Sequence, residues 1–141
     1  MKHKIMLFTL ILITCFSSVF ASDNLNINSK TAVAMDADSS IVLYSKDMDK
    51  KIYPASTTKI LTAILAIENV NLNKSVVVSK TAIKIPWDSS SVYLKEGEVI
   101  TVNDLLYTLM IPSANDAAYV LAEHVAGSVE AFSTMMNNKA R

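Results

Sequence analysis

The sequence of 141 residues has little cysteine, glycine or proline and no excess of charge of either sign. Its single cysteine excludes an intrachain disulfide. Two glycines and three prolines exclude collagen-like and linker-like chains. Thirteen basic residues balance thirteen acidic ones, so no basic field is available to hold nucleic acid. What is abundant is apolar residues, at 51%, which favours one packed domain or part of one.

The first twenty-one residues have the pattern of a secretory signal peptide. Two lysines precede an apolar run over residues 5–15, and Val19 and Ala21 stand at positions −3 and −1 of the expected cleavage site. The run is short for a membrane span. An uncleaved anchor and a lipidated Cys15 are the alternatives. We therefore expect export to an extracytoplasmic compartment and a mature chain of residues 22–141, with no further membrane span.

The mature chain is predicted to be α+β, with a β-hairpin followed by a cluster of helices. Residues 31–35 and 41–44 are predicted strands, joined by a polar turn. Helix boundaries are predicted from Pro54, from a capping box at Thr101 and Asp104, from Gly127 as a C-terminal cap and from Ser128 as an N-cap. Of residues 60–67, seven of eight are apolar, so we expect that helix to be buried on every side.

Two features lead us to expect that the chain is the N-terminal part of a longer domain. The last predicted helix runs to Arg141 without a stop signal. In addition, an isolated two-stranded hairpin is only marginally stable in water. We therefore expect further sheet strands C-terminal to this segment.

The first candidate site is Ser56-Thr57-Thr58-Lys59, because positions i and i+3 share one face of a helix. A serine hydroxyl becomes a good nucleophile when a neighbouring base takes its proton. A lysine can be that base if its pKa is lowered, and both burial and the positive end of a helix dipole lower it. The structural alternative is that Ser56 is an ordinary N-cap.

The second candidate site is Ser113-Ala114-Asn115, at the entrance of the third predicted helix. A hydroxyl and an amide at this position can pass a proton and hold the peptide group of a substrate. The structural alternative is a capping box formed by Ser113 and Asp116.

Together with their flanking segments, these residues resemble the serine D-alanyl-D-alanine carboxypeptidases, the low-molecular-mass penicillin-binding proteins of bacteria. The resemblance extends over residues 27–141. It is carried by Pro-Ala-Ser-Thr-Thr-Lys-Ile-Leu-Thr-Ala at residues 54–63, by residues 94–106, and by Ile-Pro-Ser-Ala-Asn-Asp-Ala-Ala with the Leu-Ala-Glu-His-Val-Ala-Gly-Ser that follows, within residues 111–128.

The resemblance implies a β-lactamase/transpeptidase-like fold, of which this chain supplies the N-terminal part. It implies that Ser56 is the acylated nucleophile, Lys59 its general base, Ser113 a proton relay and Asn115 a hydrogen-bond partner of the substrate peptide. The implied substrates are peptidoglycan stem peptides ending in D-Ala-D-Ala, with β-lactams as covalent inhibitors. No metal or organic cofactor is implied, and membrane association would require an anchor C-terminal to this segment.

One departure from the family concerns its third motif. The Lys-Thr-Gly of the family should follow well after Ser113, and residues 114–141 do not contain it. We therefore expect little activity from these residues alone. The alternatives left open are an inactive remnant and a class A β-lactamase, whose second motif usually has Asp where Ala114 stands.

Overall fold

The computed structural model describes residues 25–141, so the predicted signal peptide at residues 1–21 lies outside it. The described chain divides at Lys51 into two units. The first unit contributes a hairpin. The second contains all of the helices of the described residues and both candidate motifs.

The hairpin consists of β1 (Ala32–Met35) and β2 (Val42–Lys46), which pair antiparallel. The register shifts between Ala34 and Met35, which marks an irregularity of the bulge type. In the turn, the Asp36 carboxylate accepts hydrogen bonds from the backbone N–H of Ser39 (2.8 Å) and from its hydroxyl (2.5 Å). Both predicted strands and the predicted turn are therefore confirmed.

The second unit contains four helices and a second two-stranded sheet. After a short 3₁₀ turn (Ala55–Thr57) come α1 (Thr58–Asn69), β3 (Ser75–Val77), β4 (Val99–Thr101), α2 (Val102–Met110), α3 (Asn115–Ala126) and α4 (Val129–Lys139). Strands β3 and β4 pair antiparallel, with Val76 opposite Ile100. The helix α4 ends at Lys139, although the sequence predicted that it continues to Arg141.

Cap hydrogen bonds and a backbone angle confirm most of the predicted helix ends. The Thr101 hydroxyl accepts from the N–H of Asp104 at 3.1 Å, and the Ser128 hydroxyl accepts from the N–H of Ala131 at 3.1 Å. Gly127 follows α3 with φ of 81°, the left-handed conformation that glycine adopts without a steric penalty. These caps fix where α2, α3 and α4 begin or end.

The main core lies among α1, α2, α3 and the β3–β4 sheet. Leu105, Leu109 and Leu121 are fully buried there. A smaller cluster joins α4 to this body through Phe132, which packs with Leu65 and Ala122. This core holds the first turn of α1 beside the start of α3, and those are the places where the two candidate motifs lie.

The prediction that α1 is buried on every side is wrong for the described residues. One face packs against α2, α3 and α4, and it includes the buried Leu65 and Ala66. The opposite face carries Ile60, Ile64 and Ile67, which are between 38% and 55% exposed. These isoleucines form a stripe at helical spacing that nothing in residues 52–141 covers.

Candidate active site

Ser56 lies in the 3₁₀ turn that leads into α1, and its side chain is exposed. The preceding residue, Ala55, has φ of 51°, a strained conformation for a residue with a Cβ. Within residues 25–141, the Ser56 hydroxyl makes no cap hydrogen bond to α1, whose N-cap is Thr57. The alternative that Ser56 is an ordinary helix cap is therefore wrong, and its exposed hydroxyl makes no side-chain hydrogen bond within residues 25–141.

Lys59 is the second residue of α1, and its side chain is buried, with only 9% of the residue exposed. The first turn of the helix contains no acidic residue. Burial lowers the pKa of Lys59 from its ordinary value because the ammonium form loses hydration. The direction agrees with the sequence-based argument for a lysine that acts as a base.

The partner of Lys59 in the structure is Ser113. The Lys59 Nζ donates to the Ser113 backbone carbonyl at 2.6 Å and to the Ser113 Oγ at 2.9 Å. This contact joins the two candidate motifs across 54 positions of the sequence. The described residues show no hydrogen bond between Lys59 and Ser56, although both line the same cleft.

The cleft has a volume of about 370 Å³ and is lined by residues of both motifs. Its walls are Ala55, Ser56, Thr58, Lys59, Thr62, Asn115 and Ala118. It thus brings together three of the four residues predicted to form the site, and Ser113 adjoins them through Lys59. A hydroxyl, an amine of lowered pKa and an amide around one opening can perform acyl transfer to a serine.

Ser113 itself has φ of 59°, in the left-handed region. Helix α3 begins two residues later, with Ala114 as its N-cap and no side-chain cap among the described residues. The alternative of a capping box between Ser113 and Asp116 is therefore wrong. The Ser113 hydroxyl faces Lys59 instead, and Asp116 turns to the neighbouring loop.

Asp116, which the sequence suggested only as a capping-box partner of Ser113, binds the neighbouring loop instead. It is 1% exposed, and its carboxylate accepts from the Ser91 hydroxyl (2.7 Å), from the Leu94 N–H (3.0 Å) and from the Ala117 N–H (3.0 Å). Burial raises its pKa, but these hydrogen bonds outweigh burial and hold the pKa below its ordinary value. Its spacing from Ser113 and its position next to Asn115 are the signals in the sequence, and neither indicates bonds to residues 91–94.

This fold is the N-terminal part of the transpeptidase-like fold. Penicillin binding protein 6B from Escherichia coli superimposes with a TM-score of 0.76 at 30% identity, covering 86% of this chain and 41% of that one. A D-alanyl-D-alanine carboxypeptidase structure from Francisella tularensis gives a TM-score of 0.74 at 32% identity, covering 83% of this chain and 29% of that one. The expected fold class is confirmed.

The chain belongs to the Peptidase S11 family of D-alanyl-D-alanine carboxypeptidases, whose family model matches residues 18–141. The curated D-alanyl-D-alanine carboxypeptidase DacF of Bacillus subtilis is 33% identical over 145 residues. That alignment covers 96% of this chain and 37% of the relative. The chain therefore spans little more than a third of the length of that relative.

Proposed function

We propose that this chain carries the nucleophile and the second motif of a serine-type D-Ala-D-Ala carboxypeptidase. The observation that carries the proposal is the buried Lys59, which bonds to Ser113 while lining one cleft with Ser56 and Asn115. Lys59 thus bonds to the Ser113 hydroxyl and lines the same cleft as the Ser56 hydroxyl that it would activate. Family membership supports the same assignment.

In the proposed reaction, the neutral Lys59 amine accepts the proton of the Ser56 hydroxyl as its oxygen attacks the carbonyl carbon of the penultimate D-Ala. The C–N bond to the terminal D-Ala breaks, and the leaving amine takes up a proton through Ser113. Water then hydrolyses the acyl-Ser56 ester and restores the free hydroxyl. Asn115 donates its side-chain amide to the peptide group of the substrate.

The proposed substrates are peptidoglycan stem peptides, and the proposed inhibitors are β-lactams that acylate the same serine. The similar proteins support this proposal. They include penicillin binding protein 5 from Haemophilus influenzae, at 31% identity and a TM-score of 0.73. The family match favours this function over the class A β-lactamase alternative. The proposed mechanism requires no metal or organic cofactor.

We also propose that residues 1–21 direct export, which would place the cleft on the side of the membrane where peptidoglycan is found. No helix within residues 25–141 combines the length and the apolar character needed to cross a bilayer. Fusing residues 1–21 to a reporter that is active only outside the cytoplasm would test the proposal. A reporter that stays inactive contradicts it.

A fluorescent penicillin tests the proposed function directly. The complete encoded protein should acquire a covalent label, and mass spectrometry of its peptides should locate the adduct on Ser56. Ser56→Ala should abolish the label. Thr57→Ser changes the adjacent residue but keeps the hydroxyl that donates to the Pro54 carbonyl at 2.6 Å, so it should retain the label. Labelling that persists in Ser56→Ala would refute the proposal.

Residues 22–141 by themselves should be labelled by penicillin far more slowly than the complete encoded protein. In the family that this chain resembles, we expect one oxyanion-hole donor to come from a Lys-Thr-Gly strand. Residues 1–141 contain no Lys-Thr-Gly. Loss of one such donor typically lowers the rate by about 10²–10³. Equal labelling rates for residues 22–141 and for the complete encoded protein would show that the cleft is self-sufficient.

A further inference from the structure

The turn that carries Ser113 is strained and needs outside support. Ser113 has φ of 59°, which its Cβ disfavours. Such conformations persist where the surrounding structure holds them, and they are concentrated at functional sites. Whatever holds this turn also sets the position of both Ser113 oxygens, and those oxygens are the two acceptors of the Lys59 Nζ.

Ser90 bonds to the turn on both sides of Ser113. Its hydroxyl donates to the Pro112 carbonyl at 2.7 Å. Its own carbonyl accepts from the N–H of Asn115 at 2.8 Å. Ser90 therefore forms hydrogen bonds with the residue immediately before the strained position and with the second residue after it.

We propose that Ser90 is a positioning residue, which holds the Ser113 turn in the orientation that lets Ser113 meet Lys59. The catalytic consequence rests on the function proposed above, but the effect on the turn does not. Ser90 is not among the residues that line the cleft with Ser56 and Lys59, so its proposed effect is exerted through the turn.

The simpler explanation is that Ser90 only tethers its loop, and Ser91 offers a matched comparison. The Ser91 hydroxyl holds the same loop through a 2.7 Å bond to the Asp116 carboxylate. It makes no bond to residues 112–115 in the described structure. General loosening of the loop predicts equal effects of S90A and S91A, whereas positioning predicts an effect specific to S90A.

The first readout is acylation of the complete encoded protein by penicillin, resolved into the limiting rate and the apparent dissociation constant. S90A should lower the limiting rate about threefold to tenfold, the range expected for loss of one neutral hydrogen bond. The dissociation constant should stay unchanged. S91A should change the limiting rate less than twofold while lowering the melting temperature at least as much. Ser90→Thr, which keeps a hydroxyl, should restore the rate.

The second readout is hydrogen exchange of the Asn115 amide, which needs no enzymatic activity. S90A should speed this exchange about threefold to tenfold relative to wild type and to S91A. S90C, whose thiol is a weaker donor, should give an intermediate rate and replaces S90A if that variant does not fold. Ser89→Ala is the neutral loop control, because its hydroxyl makes no hydrogen bond within residues 25–141.

The outcomes separate the two proposals. A wild-type protein that is not acylated refutes the proposed function, and Asn115 exchange then decides alone whether Ser90 holds the turn. Equal effects of S90A and S91A on exchange overturn the positioning role. Faster exchange with an unchanged limiting rate in an active enzyme overturns its catalytic consequence.

Discussion

Replacing Asp116 by alanine should destabilise the protein more than any other single change near the site. Asp116 is 1% exposed, and its carboxylate holds the loop at residues 91–94 against the start of α3. Its two best bonds to that loop come from the Ser91 hydroxyl at 2.7 Å and the buried Leu94 N–H at 3.0 Å. The variant leaves both donors without their acceptor.

The size of the effect follows from those bonds. A hydrogen bond to a charged group contributes about 1.5–3 kcal/mol, so two of them give roughly 3–6 kcal/mol. Removing a dehydrated charge offsets part of this loss, and we expect the free energy of unfolding to fall by about 3 kcal/mol. Because whole domains have only about 5–15 kcal/mol, urea titration will resolve the change easily.

Asp88→Ala is the matched control, because Asp88 is exposed in the same loop and makes no side-chain hydrogen bond among residues 25–141. It should shift the free energy of unfolding by less than about 0.5 kcal/mol. If Asp116→Ala does not fold, Asp116→Asn keeps one acceptor oxygen and serves as the milder variant. An Asp116→Ala protein as stable as Asp88→Ala would refute the reasoning.

The same carboxylate makes a pH-dependent contribution whose sign is fixed. The pKa of Asp116 is lower in the folded protein than its ordinary value of 3.8, since the hydrogen bonds outweigh the effect of burial. Its stabilising contribution is therefore fully present above 3.8 and is lost as the pH falls through the folded pKa. Asp116→Asn should flatten this part of the stability curve, and an unchanged acid transition would contradict the assignment.

Three further predictions concern other positions. Gly127→Ala should lower the free energy of unfolding by about 1 kcal/mol in urea titration. The cost comes from φ of 81°, since no atom lies within 4 Å of the added Cβ, and an unchanged free energy would show that the backbone relieves the strain. Thr101→Ala should lower it by a similar amount, since the variant removes the cap of α2, whereas Thr101→Ser should retain most of it. The acylation rate should rise with pH through the lowered pKa of Lys59, and a rate that falls over that range would exclude the neutral amine as base.

The features that sequence predicts well are those set by neighbours along the chain. The caps at Thr101, Ser128 and Gly127 are each satisfied within about three residues, so the local pattern suffices to identify them. Strand β4 was missed because Val99–Thr101 is three residues long and is defined by pairing with β3, more than twenty positions earlier. The exposed face of α1 was missed for a related reason, since apolar composition does not tell which sides of a helix are covered.

The candidate site also shows the difference between features set by sequence neighbours and features set by tertiary contacts. Ser56 and Lys59 line one cleft, but Ser56 lies in the 3₁₀ turn before α1 and the hydrogen bonds of Lys59 go to Ser113. The spacing of Ser113 and Asp116 fits a capping box equally well, and a local pattern cannot decide between the two arrangements. Tertiary partners decide between them, because the buried Lys59 Nζ needs acceptors and the buried Leu94 N–H needs an acceptor of its own. Ser113 and Asp116 meet those two needs in place of capping α3, so the departure from local pattern is what joins the two motifs into one site.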